Sequence, residues 1–117
     1  MIQIKRAYDP QCPDDGPRFL VDRLWPRGIR KENFQIDGWL KEVAPSDELR
    51  RWFGHDPAKW EEFCCRYDAE LENNSAAWLP LLDYAREHDI TLLYSAHDRE
   101  CNNAVALRSF LLHHQQT

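Results

Sequence analysis

The sequence predicts a single small α/β domain, a short and mostly parallel sheet of three or four strands with helices packed on it. Three observations carry that expectation. Residues 1–7 alternate, with apolar Ile2 and Ile4 set against Gln3 and Lys5, the period-two signature of a strand. Two apolar runs, Phe19-Leu20-Val21 and Ile90-Thr91-Leu92-Leu93-Tyr94, are short, strand-prone and suited to burial. Between and after them apolar residues recur at helical spacing, and the order strand, strand, helices, strand, helix places helices on a sheet.

Taken in order, residues 1–7 form the first strand, and residues 8–17, with three prolines and a glycine, form a loop. Residues 18–23 form the second strand. Residues 29–44 carry a weaker pattern, in which Trp39-Leu40 and Val43 suggest a short helix that stops before Pro45. Ser46 then reads as an N-cap, Asp47 and Glu48 as a first turn, and Gly54 as a C′ residue, giving a helix over 47–53. Asp56-Pro57 starts the next helix, acid as cap and proline at its first position. Trp60, Phe63, Cys64, Tyr67 and Leu71 line its apolar face, and Glu62 and Arg66 pair on the other. Asn73-Asn74-Ser75 breaks that pattern and opens a helix over 76–87, with Trp78, Leu81, Leu82 and Ala85 inward and Pro80 in or near the first turn. A buried strand over 90–94 and a helix over 100–114, with Ala104, Leu107 and Leu111 on one face, complete the chain. Trp39, Trp52, Trp60 and Trp78 are expected in the core, and His113-His114 in a frayed tail.

Composition narrows the function classes. A chain of 117 residues fits one domain, and at this size folding buries roughly two-thirds of the unfolded surface, so a core needs no disulfide or metal. Hydrophobic residues at 43% and charged residues at 30% are those of a globular protein rather than a disordered one. No apolar run approaches membrane-span length, and residues 1–5 lack a signal-peptide core, so the expected location is the cytoplasm. Cys12, Cys64, Cys65 and Cys101 show neither a C-x-x-C pair nor metal-type spacing. They are expected as reduced thiols, with no metal site and no cofactor. His113-His114 lacks ligand partners at metal spacing.

The net charge of −5 is unevenly spread: residues 1–53 hold ten Lys/Arg against nine Asp/Glu (+1), and residues 54–117 hold five against eleven (−6). Within 18–31 five basic residues accompany one acid, Asp22. The acidic balance argues against broad, non-specific nucleic-acid binding, while the local cluster suits one small anion.

Two segments concentrate chemistry. In Val21-Asp22-Arg23-Leu24-Trp25-Pro26-Arg27-Gly28 an acid, two arginines and a tryptophan directly follow a strand, and arginine is shaped to hold planar anions by paired hydrogen bonds. In Ser95-Ala96-His97-Asp98-Arg99-Glu100-Cys101-Asn102-Asn103 polar groups fill a strand-to-helix turn, where free N–H groups favour an anion. If the two strands are parallel neighbours, both clusters emerge at one sheet edge, the usual ligand crevice of open α/β sheets. The expected ligand residues are Arg23, Trp25, Arg27, Ser95, Asn102 and Asn103; the acid/base candidates are Asp22, His55 and Asp98. Each has a structural alternative. Arg23 and Arg27 either hold a ligand or pair with Asp22, Asp98 or loop carbonyls; Trp25-Pro26 either stacks on a ligand or forms a packed turn. Asp98 and Asn102 serve equally as helix caps, and His55 as a turn residue. Lys41 and Arg50-Arg51 either form a solvated face or widen the basic rim. No phosphate-binding loop, dinucleotide fingerprint, zinc spacing or nucleophile elbow is present.

The run from Leu20 to Gly28, the segments Trp39-Leu40-Lys41-Glu42-Val43-Ala44-Pro45-Ser46 and Leu49-Arg50-Arg51-Trp52-Phe53-Gly54-His55-Asp56, then Thr91-Leu92-Leu93-Tyr94 and Asn102-Asn103-Ala104-Val105 strongly resemble the YeaO-like proteins, the family of domain of unknown function 488. The resemblance covers nearly the whole chain and implies a small bacterial or archaeal cytoplasmic α/β protein, without an established activity. His97 stands where the pattern often has lysine, and Cys101 where it often has histidine, so neither is a strong catalytic candidate. The expectation is a protein of unknown function with a site for a small anionic ligand, a nucleotide or phosphorylated metabolite, at the carboxyl ends of the strands. The alternative is a nucleic-acid-associated or protein-interaction module without catalytic activity.

Overall fold

The computed structural model describes residues 1–115. Four parallel strands, β1 (Ile2–Arg6), β2 (Arg18–Leu20), β3 (Gly38–Trp39) and β4 (Ile90–Tyr94), stand in the order β1-β4-β2-β3. Four helices, α1 (Asp47–Phe53), α2 (Trp60–Glu72), α3 (Ser75–Glu87) and α4 (Asn103–Gln115), complete the domain. The α/β class is as the sequence predicts, and β2 and β4 are parallel neighbours, the condition on which the two polar clusters emerge at one sheet edge.

Pleating divides the sheet into two unlike faces. Ile2, Ile4, Phe19, Val21, Ile90, Leu92, Tyr94 and Leu40 point to the face that packs on the helices, against Phe63, Tyr67, Leu71, Trp78, Leu82, Leu107 and Leu111. Gln3, Lys5, Arg18, Leu20, Thr91, Leu93 and Trp39 share the other face by register, and irregular chain covers it. Polar residues anchor that cover: the Gln3 amide donates to the Asp14 carbonyl (3.1 Å), the Thr91 hydroxyl to the Asp15 carbonyl (2.7 Å), and Lys5 to the Asp15 carboxylate (3.0 Å). The alternation of residues 1–7 therefore records a helix side and a loop side, each occupied.

Several expectations are corrected in detail. The second strand ends at Leu20, although the Val21 N–H still reaches the Leu93 carbonyl (3.0 Å); beyond it the chain turns to present Asp22. Trp39-Leu40 is not helical. Gly38-Trp39 pairs with β2 as an edge strand, and Lys41–Val43 is a single 3-10 turn. Ser46 caps α1 through the Leu49 N–H (3.1 Å), and Gly54 closes it in the left-handed region (φ 54°). Asp56 caps a 3-10 turn, Pro57–Lys59, that leads into α2. Pro80 lies beyond the first turn of α3, on its exposed side. The last helix begins at Asn103 because residues 98–102 form its capping turn. His114 is no frayed tail residue: it lies in α4, with its ring 4.2 Å from that of Phe110 and 4.9 Å from that of Trp78. Of the four core tryptophans expected, Trp78 is buried; Trp39, Trp52 and Trp60 are half-buried. Arg66 and Lys59 cover the Trp52 ring, which is how long cations shield an amphipathic aromatic.

Candidate functional site

The loops leaving β2 and β4 diverge from neighbouring parallel strands, one toward β3 and the other into α4. This is a topological switch point, where a crevice opens beyond the carboxyl ends of strands. Here it is a cleft of about 810 Å³. Asp22, Arg23, Arg27, His55, Ser95, Asp98, Asn102 and Asn103 all line it, so eight of the nine site residues expected from sequence come together. Arg50 and Arg51 of α1 add two further cations, and Phe53 and Phe63 an apolar floor.

Trp25 is the residue not brought into the cleft. Its indole donates to the Ile29 carbonyl (2.6 Å) and packs edge-on against Phe34 and Trp39, with centroids 5.4 and 5.3 Å away. It holds the turn that carries Arg27. The alternative reading of Trp25-Pro26 as a packed turn describes this geometry.

The acids of the cleft are engaged. Asp22 Oδ2 accepts from the Ser95 N–H (2.9 Å) and hydroxyl (2.7 Å), and its Oδ1 accepts from the Asn103 amide (3.0 Å). Asn103 also donates to the Val21 carbonyl (3.0 Å), and the Trp39 indole to the Asp22 carbonyl (2.8 Å). Asp22 thus ties β2, β4, β3 and α4 together at the base of the cleft. Burial pushes its carboxyl above the ordinary aspartate range, against the pull of the Ser95 and Asn103 donors. Asp98 Oδ1 accepts from the Cys101 and Glu100 N–H groups (3.0 and 2.8 Å), which hold its carboxyl below the usual range. Asn102, buried, caps α4 through the Val105 N–H (3.0 Å) and donates to the Asp98 carbonyl. Burial, with Asp98 and Glu100 nearby, raises the Cys101 thiol and keeps it protonated at neutral pH.

The cations divide into two sets. Arg23 reaches the Pro45 and Ala44 carbonyls (3.4 and 3.3 Å), and Arg50 donates to Asp47 (3.0 Å) while its buried Nε finds no acceptor among the described residues. The Arg27 and Arg51 side chains are exposed and make no hydrogen bond or ion pair with any described residue. The Arg27 backbone, however, is fixed, its carbonyl accepting from the Tyr8 hydroxyl (2.9 Å) beside Gly28 at φ 79°. His55 is exposed in the left-handed region (φ 57°), directly after Gly54. Sequence reasoning gave Arg50-Arg51 only as the alternative of a widened basic rim; both line the cleft, and no local pattern marks them, because two consecutive helical residues point about 100° apart. Among the described residues no cluster of His, Cys, Asp or Glu has the arrangement to hold a metal ion.

Residues 1–117 match a family model described as the inactive DUF488-N3 subclade. The chain belongs to this subclade. It is 44% identical over 110 residues to the uncharacterized protein YeaO of Escherichia coli (strain K12), covering 94% of this chain and 96% of YeaO. It is also 48% identical over 75 residues to the uncharacterized proteins Rv3073c of Mycobacterium tuberculosis and Mb3100c of Mycobacterium bovis, covering 64% of this chain and 64% of each relative. No solved structure matches it. For this DUF488-N3 chain the resemblance found in residues 20–28, 39–46, 49–56, 91–94 and 102–105 is thereby a family membership, and those stretches bring Asp22, Arg23, Arg27, Arg50, Arg51, His55, Asn102 and Asn103 to the cleft.

Proposed function

We propose that the protein binds, without transforming, a small anionic ligand that has an apolar or planar body, a nucleotide or phosphorylated metabolite. The observation that carries this reading is the convergence of Arg27 and Arg51, both without acceptors among the described residues, over a floor containing Phe53 and Phe63. Cleft volume falls in the range of small-molecule sites, and few convergent polar groups above an apolar base is their usual composition. The absence of catalysis in the proposal rests on chemistry. A general base is held within reach of substrate by the groups that orient it: Asp22 is engaged by Ser95 and Asn103, Asp98 caps α4 through Oδ1, Cys101 is held as a thiol, and His55, exposed in the cleft lining, has no hydrogen-bond partner among the described residues to orient it. The description of the subclade as inactive supports the same reading. The expected location is cytoplasmic; among the described residues no helix is long and apolar enough to cross a membrane.

The test is thermal shift and calorimetric titration with AMP, ATP, ribose 5-phosphate and inorganic phosphate. At least one phosphorylated organic probe is expected to raise the melting temperature and to be recovered unchanged. Arg27→Ala and Arg51→Ala should each weaken it by about tenfold, the loss of one charge-assisted contact, while leaving the unliganded melting temperature unchanged. Binding that is undiminished in both variants, or no binding of any probe, overturns the assignment of the site. Turnover of a bound probe overturns its non-catalytic part.

A further inference from the structure

The turn that follows α1 holds His55 at φ 57°, directly after Gly54 at φ 54°. Among the described residues His55 is the one non-glycine residue with positive φ. In the left-handed region a β-carbon crowds the following carbonyl, so the conformation is costly for histidine and open to glycine. The backbone on either side is fixed. The Gly54 N–H reaches the Arg50 carbonyl (3.0 Å), the Asp56 N–H reaches the Phe53 carbonyl (3.0 Å), and Asp56 caps the next turn through the Ala58 N–H (3.0 Å). The His55 side chain, by contrast, adds little to the fold. It is exposed, makes no hydrogen bond or ion pair with any described residue, and its ring contact is a tilted approach to Phe53, centroids 6.4 Å apart. Strained backbone of this kind clusters at functional sites, and His55 lines the cleft.

We infer that His55 is the residue that reads the body of the ligand, bonding a ribose hydroxyl or a base N–H, while Arg27 and Arg51 take the phosphate. This role rests on the anionic-ligand reading of the cleft. Three features separate the two tasks. Guanidinium groups only donate and stay charged, whereas a neutral imidazole offers one donor and one acceptor, which is what a hydroxyl or a heterocyclic edge requires. His55 stands beside Phe53, part of the apolar floor on which a planar body would lie. Asp98, from the turn before α4, also lines the cleft within electrostatic reach of His55, and a phosphate beside that carboxylate would be repelled. The strained backbone thus places an uncharged hydrogen-bonding ring at one fixed point of the cleft, where glycine would fold more easily but contact nothing.

The experiment is calorimetric titration of the full chain and its variants with AMP, ribose 5-phosphate and inorganic phosphate, beside thermal melts without ligand. His55→Gly releases the strain and is expected to melt about 2–5 °C above the wild type. It should bind AMP about fivefold more weakly, the loss of one neutral hydrogen bond. His55→Ala, which keeps the strain and loses the imidazole, should show the same loss of affinity without the gain in melting temperature. His55→Asn, tolerated in the left-handed region and still able to donate and accept, should lose less affinity than His55→Ala. Unchanged AMP affinity in His55→Gly and His55→Ala, or a His55→Gly protein that melts below the wild type, overturns the assignment of His55. So does an equal loss of AMP and inorganic phosphate affinity, which would make His55 a third phosphate contact. AMP binding lost in Arg27→Ala and Arg51→Ala but intact in His55→Gly overturns the role of His55 alone. No binding of any probe by the wild type overturns the reading of the cleft, and the role of His55 with it.

Discussion

Asp22 shows how a residue flagged by its chemistry can act through structure. Its position after an apolar strand and before two arginines marks it as part of a site, and it does stand at the base of the cleft. Its oxygens, however, are spent on Ser95 and Asn103, partners that lie more than seventy residues away and that no local pattern names. Because burial raises its folded pKa above the unfolded value of about 3.9, the folded state holds the proton longer. The associated stability is fully present below the unfolded value and is lost as pH rises through the folded one. Asp22→Asn removes that titration. Urea unfolding at a series of pH values is expected to give a wild-type advantage over the variant that shrinks as pH rises through this window. A difference independent of pH would show that Asp22 titrates alike in both states. The arginines of the cleft behave differently: their type alone announced anion chemistry, but only the fold separates Arg23, held by carbonyls, from Arg27, which has no described partner.

At the scale of elements, the legible ones are those whose ends carry their own chemistry. The helix α1 is bounded as the sequence predicts because Ser46 and Gly54 satisfy the orphan groups at its two ends. The edge strand β3 was not legible, since two residues carry no period, and Gly38 is a poor strand former by propensity. What places it is tertiary: the Leu40 N–H reaches the Leu20 carbonyl (2.8 Å), and the Asp37 N–H reaches the Arg18 carbonyl (2.7 Å). The turn into β2 depends on Gly16, at φ 62° and ψ −156°, a region nearly closed to other residues. A Cβ there would stand 2.3 Å from the Asp89 carbonyl oxygen. Gly16→Ala must both strain the backbone and separate the loop from the start of β4, and is expected to cost about 3 kcal/mol or more. Ser46→Ala, which removes the cap and leaves the Glu70 carboxylate with only the Ser46 N–H, should cost about 1–2 kcal/mol. Guanidinium unfolding midpoints rank the two, and a Gly16→Ala midpoint above that of Ser46→Ala would contradict the close approach.

The whole molecule is one sheet between two layers of different construction, packed helices on one face and irregular chain on the other. Helical periodicity announced one layer, and it was found where expected. The other consists of residues 8–17 and 24–37, without period, so its docking could not be read from spacing; its anchors are single polar residues in the strands, Gln3, Lys5, Arg18 and Thr91. The candidate cleft borders this irregular layer through Leu24 and Arg27, as binding sites carried on loops over a rigid scaffold commonly do. Neighbouring residues of β4 test the difference directly. Leu92 and Leu93 are both fully buried, yet Leu92 faces the helices and Leu93 shares its face with Leu20, Trp39 and the loops. The cost of a leucine truncation rises with the cavity that the surroundings fail to fill. Packed helices resist collapse, whereas loop chain held by a few polar anchors can settle inward. Leu92→Ala is therefore expected at about 4 kcal/mol, in the upper part of the measured range for such changes, and Leu93→Ala at about 2 kcal/mol, at its lower end. Chemical denaturation gives the free energies, and hydrogen exchange gives the mechanism. In Leu93→Ala the amides of residues 24–37 should lose protection while β4 keeps its own, and in Leu92→Ala protection should fall across the sheet and helices together. Equal costs with equal patterns of exchange would mean that the loop layer is packed as rigidly as the helices.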